Sequence, residues 1–201
     1  ISNACLGVLS GIVDVANRIE LGQIAAGLVV SCESAREINE SMIASMIKTP
    51  TMDHFKLSIA TLTGGSGAVA VLLTDGSFGA KGHKLLGGTT QAAAEHWNLC
   101  RWEADVMRTD APAVLQPGVE LARGTWARFI SHLGWSAAGV DKTICHQVGG
   151  PHRAAVLDAF GVSEDRDFST YEFLGNIGTV SLPLTAALAD ERGFLDRGHN
   201  V

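Results

Sequence analysis

Three side chains that lie far apart in the sequence have the types that nucleophilic chemistry needs: Cys5, His146 and Asn176. Cys5 precedes a predicted helix over 6–20, whose dipole and free backbone N–H groups would favour the thiolate. His146 ends a predicted strand over 142–146, and strand ends are where open α/β sheets bind ligands. Asn176 lies in a glycine-flanked turn that can expose its amide. Together they indicate a nucleophilic cysteine with two hydrogen-bonding partners.

Each of these residues also has an ordinary structural explanation. A cysteine at a helix start is often a small buried hydrophobe, and an asparagine often caps a turn. The joint occurrence of the three, each followed by a predicted helix, favours a functional site. The remaining cysteines and histidines are assigned structural roles, the cysteines as small buried hydrophobes: Cys32, Cys100, Cys145, His54, His83, His96, His132, His152 and His199. No Cys, His and carboxylate cluster suggests a zinc site, so we expect no metal.

Two other patterns are weaker candidates. The sequence Gly-Gly-Ser-Gly at 64–67 lacks the Lys-Ser/Thr ending of a phosphate-binding loop and precedes a predicted strand instead of a helix, so it predicts close backbone packing. Glu33, Glu37 and Glu40 have the spacing of a solvated acidic helix face.

The order of predicted elements indicates an α/β protein. Short apolar runs at 26–31 and 68–74 are typical of strands that are covered on both faces. Amphipathic or capped patterns predict helices over 6–20, 118–133, 151–160 and 180–192. The part after about residue 118 repeats the helix, strand, helix order of the first part. Residues 75–88 and 109–117 are expected to be connections.

Composition narrows the class of protein. The 201 residues are 46% hydrophobic and 18% charged, enough for a sizeable core. A net charge of -6 without a basic block argues against a nucleic-acid partner, and no apolar run reaches the roughly 20 residues of a membrane span. Four cysteines without a Cys-x-x-Cys pair favour a reducing, cytoplasmic setting. The chain begins without Met or signal-peptide features and is expected to be a fragment.

Three motifs resemble the active-site motifs of the 3-oxoacyl-acyl-carrier-protein synthase III group in the thiolase superfamily. They are Asn-Ala-Cys-Leu-Gly at 3–7, Ile-Cys-His-Gln at 144–147 and Leu-Gly-Asn-Ile-Gly at 174–178. Their order and separations also fit, with His146 141 positions after Cys5 and Asn176 30 positions after His146. The resemblance covers essentially the whole chain.

Further motifs are similar to those of the head-to-head acyl-CoA condensing enzymes of long-chain olefin biosynthesis. These are Ser-Cys-Glu-Ser-Ala-Arg at 31–36, Leu-Leu-Gly-Gly-Thr-Thr at 85–90 and His-Gln-Val-Gly-Gly-Pro-His at 146–152. The housekeeping synthases usually have Ala-Asn after His-Gln, whereas Val148 and Gly149 follow here.

The resemblance implies a layered αβαβα fold built from two related halves, usually in a homodimer. Residues 1–110 would be the C-terminal portion of the first half, with Cys5. Residues 111–201 would be the second half, with His146 and Asn176 but without its closing strand and Gly-rich loop. The resemblance also implies a catalytic glutamate that a partner subunit supplies from a segment upstream of the nucleophile. No residue of this chain matches it.

The implied activity is a Claisen condensation of two fatty acyl thioesters through acyl-Cys5, with acyl-CoA or acyl-carrier-protein thioesters as substrates and no cofactor. Decarboxylative extension with a malonyl-carrier protein is the alternative. Two further alternatives belong to other classes of protein. A papain-like protease would have Gly-Ser/Ala before the cysteine and an aromatic residue after it, which Cys5 lacks. A non-catalytic acyl-binding protein would not need Cys5, His146 and Asn176 intact.

Overall fold

The computed structural model describes residues 1–79, 82–103 and 106–201. Its helices and strands are α1 Gly7–Glu20, β1 Ala26–Glu33, α2 Arg36–Lys48, α3 Met52–Leu62, β2 Gly67–Thr74, β3 Cys100–Glu103, β4 Val106–Thr109, α4 Ala111–Leu133, α5 Gly150–Phe160, α6 Tyr171–Leu174 and α7 Ser181–Glu191. Five 3-10 turns complete the order: Ala4–Leu6, Ala94–His96, Ala137–Gly139, Glu164–Arg166 and Gly178–Val180. Within the described ranges, no helix combines the length and apolarity that crossing a membrane requires.

β1 and β2 form an antiparallel pair, and α1 packs on one face of it. The pairing runs from Ala26 opposite Thr74 to Glu33 opposite Gly67. Gly11 allows α1 to approach the strand closely, because a Cβ at this position would lie only 2.8 Å from Val29 Cγ1. One turn further along the helix, Val15 packs in the same way over Gly27. The helix therefore runs antiparallel to β1, and its N-terminal end lies beside the C-terminal end of the strand.

The second face of the β1–β2 pair is exposed, so the prediction of strands covered on both faces is wrong for this chain. Leu28, Val30 and Leu72 are 59%, 65% and 64% exposed. Burial alternates along both strands because successive side chains point to opposite faces. A continuous apolar run thus predicted the strands themselves but not which faces would be covered.

The predicted strand over 142–146 is only an extended segment with one isolated parallel bridge, between Thr143 and Asp167. Thr143 N donates to Arg166 O at 2.7 Å, and Phe168 N donates to Thr143 O at 3.2 Å. A strand is defined by a ladder of such pairs, and among the described residues the ladder here stops after one bridge.

Helix α4 begins earlier than the sequence predicted. Residues 109–117 were expected to be a connection, but α4 already starts at Ala111. Asp110 caps it by accepting a hydrogen bond from Ala113 N at 3.0 Å, and Pro112 lies in the first turn, where proline is tolerated. Proline therefore marked the start of a helix and not a loop.

The other predicted helices agree closely with α1, α5 and α7, and β2 agrees with the run at 68–74. The hairpin of β3 and β4 was not predicted. The expected connection over 75–88 has no helix or strand at 75–79 and 82–88, and residues 80 and 81 lie outside the described residues.

The best-buried part of the molecule surrounds α7 and the turn that precedes it. Ile177, Val180 and Ala189 are at most 2% exposed. Thr185 is fully buried, and its hydroxyl lies 2.7 Å from that of Thr170. This core holds the segment that carries Asn176.

Candidate active site

Cys5 lies in the 3-10 turn Ala4–Leu6, which leads directly into α1. The prediction that it precedes a helix is confirmed. Ala4 has φ of 41°, a left-handed conformation that is strained for a residue with a side chain. Such strain often occurs at functional sites, and here it lies next to the candidate nucleophile.

The surroundings of Cys5 do not stabilise a thiolate, contrary to the expectation from the helix dipole. Partial removal of the sulfur from water raises the pKa of the thiol, and the nearby Cys100 and Glu33 raise it further. Each effect penalises the negatively charged form. The resting group is therefore a neutral thiol at neutral pH.

Glu33 belongs to this site, although its spacing to Glu37 and Glu40 had predicted an acidic helix face. It is the last residue of β1, whereas Glu37 and Glu40 lie on α2. Because strand side chains alternate, Glu33 points to the same side as Val29, toward α1. Its Cδ lies 3.4 Å from the position that a Cβ on Gly178 would occupy. The strand periodicity of 26–33 was the signal that could have identified it.

Replacement of Glu33 by glutamine is expected to lower the pKa of Cys5. The carboxylate disfavours the thiolate, so removing its charge increases the thiolate fraction at any pH below the thiol pKa. The rate of iodoacetamide alkylation of Cys5, followed by mass spectrometry across pH, should therefore rise and its midpoint should shift to lower pH. Glu37→Gln, at an exposed position of α2, is the control and should leave the profile unchanged. An unshifted midpoint in Glu33→Gln would contradict this assignment.

The start of α1 is held by the turn that follows Asn176. Val8 N donates to Thr179 Oγ1 at 2.6 Å, which satisfies one of the N–H groups that a helix start leaves free. A Cβ on Gly7 would lie 3.2 Å from the same oxygen. This contact joins the Cys5 segment to the Asn176 segment.

The Asn176 side chain has a defined orientation. Its Oδ1 accepts from Gly178 N at 3.0 Å and from Ser181 Oγ at 3.4 Å. Since the oxygen is engaged within the turn, Nδ2 is the group that can donate to a ligand.

The Gly-Gly-Ser-Gly segment at 64–67 holds the backbone of Asn176, which confirms the prediction of close backbone packing. Asn176 N donates to Thr63 O at 2.9 Å, and Gly65 N donates to Asn176 O at 2.8 Å. A Cβ on Gly65 would overlap Leu174 O, and Gly175 has a φ of 70°. Only glycine fits this approach of two backbones.

His146 is a neutral imidazole at physiological pH. Burial lowers the pKa of His146 to about 4, with a smaller contribution from His152. Above that pH, one ring nitrogen carries a proton and can donate a hydrogen bond. Burial also lowers the pKa of His152, whose Nδ1 is buried without a hydrogen-bond partner.

Gln147 connects the His146 segment to the chain that leads to Asn176. It is 2% exposed, and its Oε1 accepts from Thr170 N at 2.8 Å and Tyr171 N at 3.0 Å. Its Nε2 donates to Cys145 O at 2.5 Å. The segments of Cys5, Asn176 and His146 are thus joined in series through Thr179 and Gln147. Thr179 was not predicted, and Gln147 entered only as part of the Ile-Cys-His-Gln motif, without a role of its own.

The other cysteines differ from the expectation of buried hydrophobes. Cys32 and Cys100 are exposed and Cys145 is partly buried. Burial strongly raises the pKa of Cys145, which leaves it unreactive as a nucleophile. In the described part of the chain, no group of three His, Cys, Asp or Glu side chains is arranged to hold a metal ion.

Comparison with known proteins identifies the family. The family model of the 3-oxoacyl-[acyl-carrier-protein] synthase III C-terminal region matches residues 130–201. Acyl-CoA:acyl-CoA alkyltransferases of Shewanella oneidensis and Xanthomonas campestris are 54% and 32% identical over 100% of this chain. A β-ketoacyl-[acyl-carrier-protein] synthase III of Roseobacter denitrificans is 25% identical over 88% of the chain and 56% of its own length. The chain spans 61% and 60% of the two alkyltransferases.

Solved structures give the same assignment. A crystal structure of Xanthomonas campestris OleA with bound lauric acid and lauroyl-CoA superposes with a TM-score of 0.91 at 32% identity, covering 99% of this chain and 59% of that one. Cerulenin-bound OleA gives a TM-score of 0.90 at 32% identity, covering 99% and 58%. The chain belongs to the 3-oxoacyl-acyl-carrier-protein synthase III group of the thiolase superfamily. The predicted α/β, thiolase-like fold, incomplete relative to those relatives, is confirmed.

Proposed function

We propose that the protein is an acyltransferase that joins two fatty acyl-CoAs by Claisen condensation through an acyl-Cys5 intermediate. The proposal rests on the hydrogen bond from Val8 N to Thr179 Oγ1, which joins the start of α1, next to Cys5, to the turn after Asn176. The similarity to two acyl-CoA:acyl-CoA alkyltransferases along the whole chain supports the choice of substrates. Acyl-CoA is a substrate, and no cofactor is needed.

Loading begins with a neutral Cys5 thiol. Cys5 Sγ attacks the carbonyl carbon of the first thioester, the bond between that carbon and the CoA sulfur breaks, and the thiol proton ends on the departing CoA thiolate. The Cys5 backbone N–H, at the start of α1, stabilises the oxyanion. Because the pKa of Cys5 is raised, proton removal accompanies attack instead of preceding it.

Condensation uses the two other side chains. The second acyl-CoA loses its α-proton and becomes an enolate, whose oxygen accepts hydrogen bonds from His146 Nε2 and Asn176 Nδ2. The enolate carbon attacks the acyl-Cys5 carbonyl, the C–S bond to Cys5 breaks, and a 2-alkyl-3-oxoacyl-CoA leaves. His146 donates as a neutral imidazole in this step, because burial lowers its pKa to about 4 and the ring stays uncharged at neutral pH. The resemblance assigns proton abstraction to a glutamate of the partner subunit.

The main alternative is decarboxylative extension with a malonyl-carrier protein. The synthase III relatives of Roseobacter denitrificans and Streptomyces coelicolor are 25% and 24% identical, against 54% and 32% for the alkyltransferases. Val148 and Gly149 after His-Gln also favour joining two acyl-CoAs. Intact Cys5, His146 and Asn176 argue against a non-catalytic acyl-binding protein.

Product analysis of the full-length protein separates the two chemistries. With acyl-CoA alone, we expect a 2-alkyl-3-oxoacyl-CoA product, detected by mass spectrometry as the ketone after hydrolysis of the thioester and decarboxylation of the resulting 3-oxo acid. Formation of product only when malonyl-carrier protein is added, with release of CO₂, would contradict the proposal.

We also propose that the protein acts as a homodimer in the cytoplasm, with residues 1–110 and 111–201 in two related halves. The family resemblance supports the dimer and the division into halves. The free cysteines fit a reducing compartment.

A further inference from the structure

A buried carboxylate, Asp167, lies beside the segment that carries His146. Its side chain is 0% exposed, and a carboxylate in that position requires charged or hydrogen-bonding partners. Asp167 Oδ2 accepts from Arg153 Nε at 2.6 Å. Its Oδ1 accepts from Thr143 Oγ1 at 3.0 Å and from Cys145 N at 3.2 Å. All of these partners come from the two stretches of chain that flank His146.

Arg153 strengthens this arrangement from helix α5, which begins four residues after His146. Its Nη2 donates to Asp167 O at 3.0 Å and to Glu164 O at 2.9 Å. One guanidinium therefore fixes both the carboxylate and the backbone of the turn that carries it. Arginine can do this because its donors form a rigid planar fork.

His146 is consequently anchored on both sides. Asp167 holds Cys145 immediately before it, and Gln147 immediately after it is bonded to Thr170 and Tyr171. Among the described residues of 142–147, the backbone makes one β-bridge, at Thr143, which lies before these anchors. Side-chain anchors thus replace the sheet ladder that the sequence had predicted for 142–146.

We propose that Asp167 is a positioning residue that sets the direction of the His146 imidazole for the condensation step. The inference rests on the proposed function, because it assigns Asp167 to the donor pair that binds the enolate oxygen. Loading of Cys5 does not use that donor pair, so the two half-reactions should respond differently to loss of Asp167.

Asp167→Ala in the full-length protein is expected to lower kcat for condensation by about 10²-fold, the loss typical of a small displacement of a catalytic group. The rate of acyl-Cys5 formation, measured by intact-protein mass spectrometry, and the KM for the second acyl-CoA should stay near wild type. Asp167→Asn keeps an oxygen that can accept from Thr143 and Cys145 and should recover part of kcat. Asp158→Ala, an exposed aspartate on the same helix as Arg153, is the control and should match wild type.

Thr143→Val provides a second variant if Asp167→Ala fails to fold, since it removes one of the hydrogen bonds without leaving a buried charge unpaired. It should give a smaller loss confined to condensation. A wild-type protein that forms neither acyl-Cys5 nor product would overturn the proposed function and this inference with it. An active wild type with variants that condense normally, or that lose loading and condensation equally, would overturn the assignment of Asp167 alone.

Discussion

Cys5→Ala is expected to abolish both acyl-enzyme formation and condensation. Wild-type protein incubated with a fatty acyl-CoA should gain the mass of one acyl group, and the alanine variant should gain none, because the proposed mechanism forms its thioester on the Cys5 sulfur. Cys5→Ser should also fail to load, since an unactivated hydroxyl is a far weaker nucleophile than a thiol.

Cys32→Ala is the matched control for this experiment. Cys32 is also exposed but lies on the outer face of β1, so its loss should leave labelling unchanged. Cys145 is not expected to substitute for Cys5, because burial strongly raises its pKa. Acyl label on the Cys5→Ala protein at the wild-type rate would show that another residue is the nucleophile.

Asn176→Ala is expected to slow condensation by about 10²–10³-fold while leaving Cys5 loading near the wild-type rate. Loss of one preorganised donor to a developing negative oxygen typically costs that much. The measurement is a single-turnover assay in which acyl-Cys5 forms first and a second acyl-CoA is then added.

Asn176→Asp makes the test sharper. The aspartate keeps an oxygen that can accept from Gly178 N, so the turn is preserved, but it replaces the Nδ2 donor with a second oxygen. Condensation should fall at least as far as in the alanine variant. Asn17→Ala, an exposed asparagine on α1, should behave as wild type. Equal losses in loading and condensation would instead indicate that Asn176 only maintains the fold around Cys5.

Local features of the fold followed well from the sequence. The positions of α1, α5 and α7 agree with apolar spacing and with proline at a first turn, because these signals act within a few residues of the helix they define. The glycines at 64–67 were also interpreted correctly, since a cluster of small residues before a strand has few uses other than close packing.

Features that depend on distant partners could not be predicted in the same way. The bond from Val8 N to Thr179 joins residues 171 positions apart, and no local pattern marks Thr179 as the acceptor. The predicted direction of the Cys5 pKa shift was wrong because the helix dipole is visible in sequence, whereas the partial removal of the sulfur from water and the proximity of Glu33 are not. The bonds of Asp167 to Thr143 and Cys145 had no sequence signal either.

A pulse-chase experiment tests the central claim most directly. The full-length protein is loaded with an isotopically labelled acyl-CoA of one chain length, freed of excess substrate, and then given an unlabelled acyl-CoA of another length. We predict a mixed 2-alkyl-3-oxoacyl product with the labelled chain on the 3-oxo side, together with loss of label from Cys5. Release of the labelled chain as free acid alone, or label that stays on Cys5 after the chase, would contradict it.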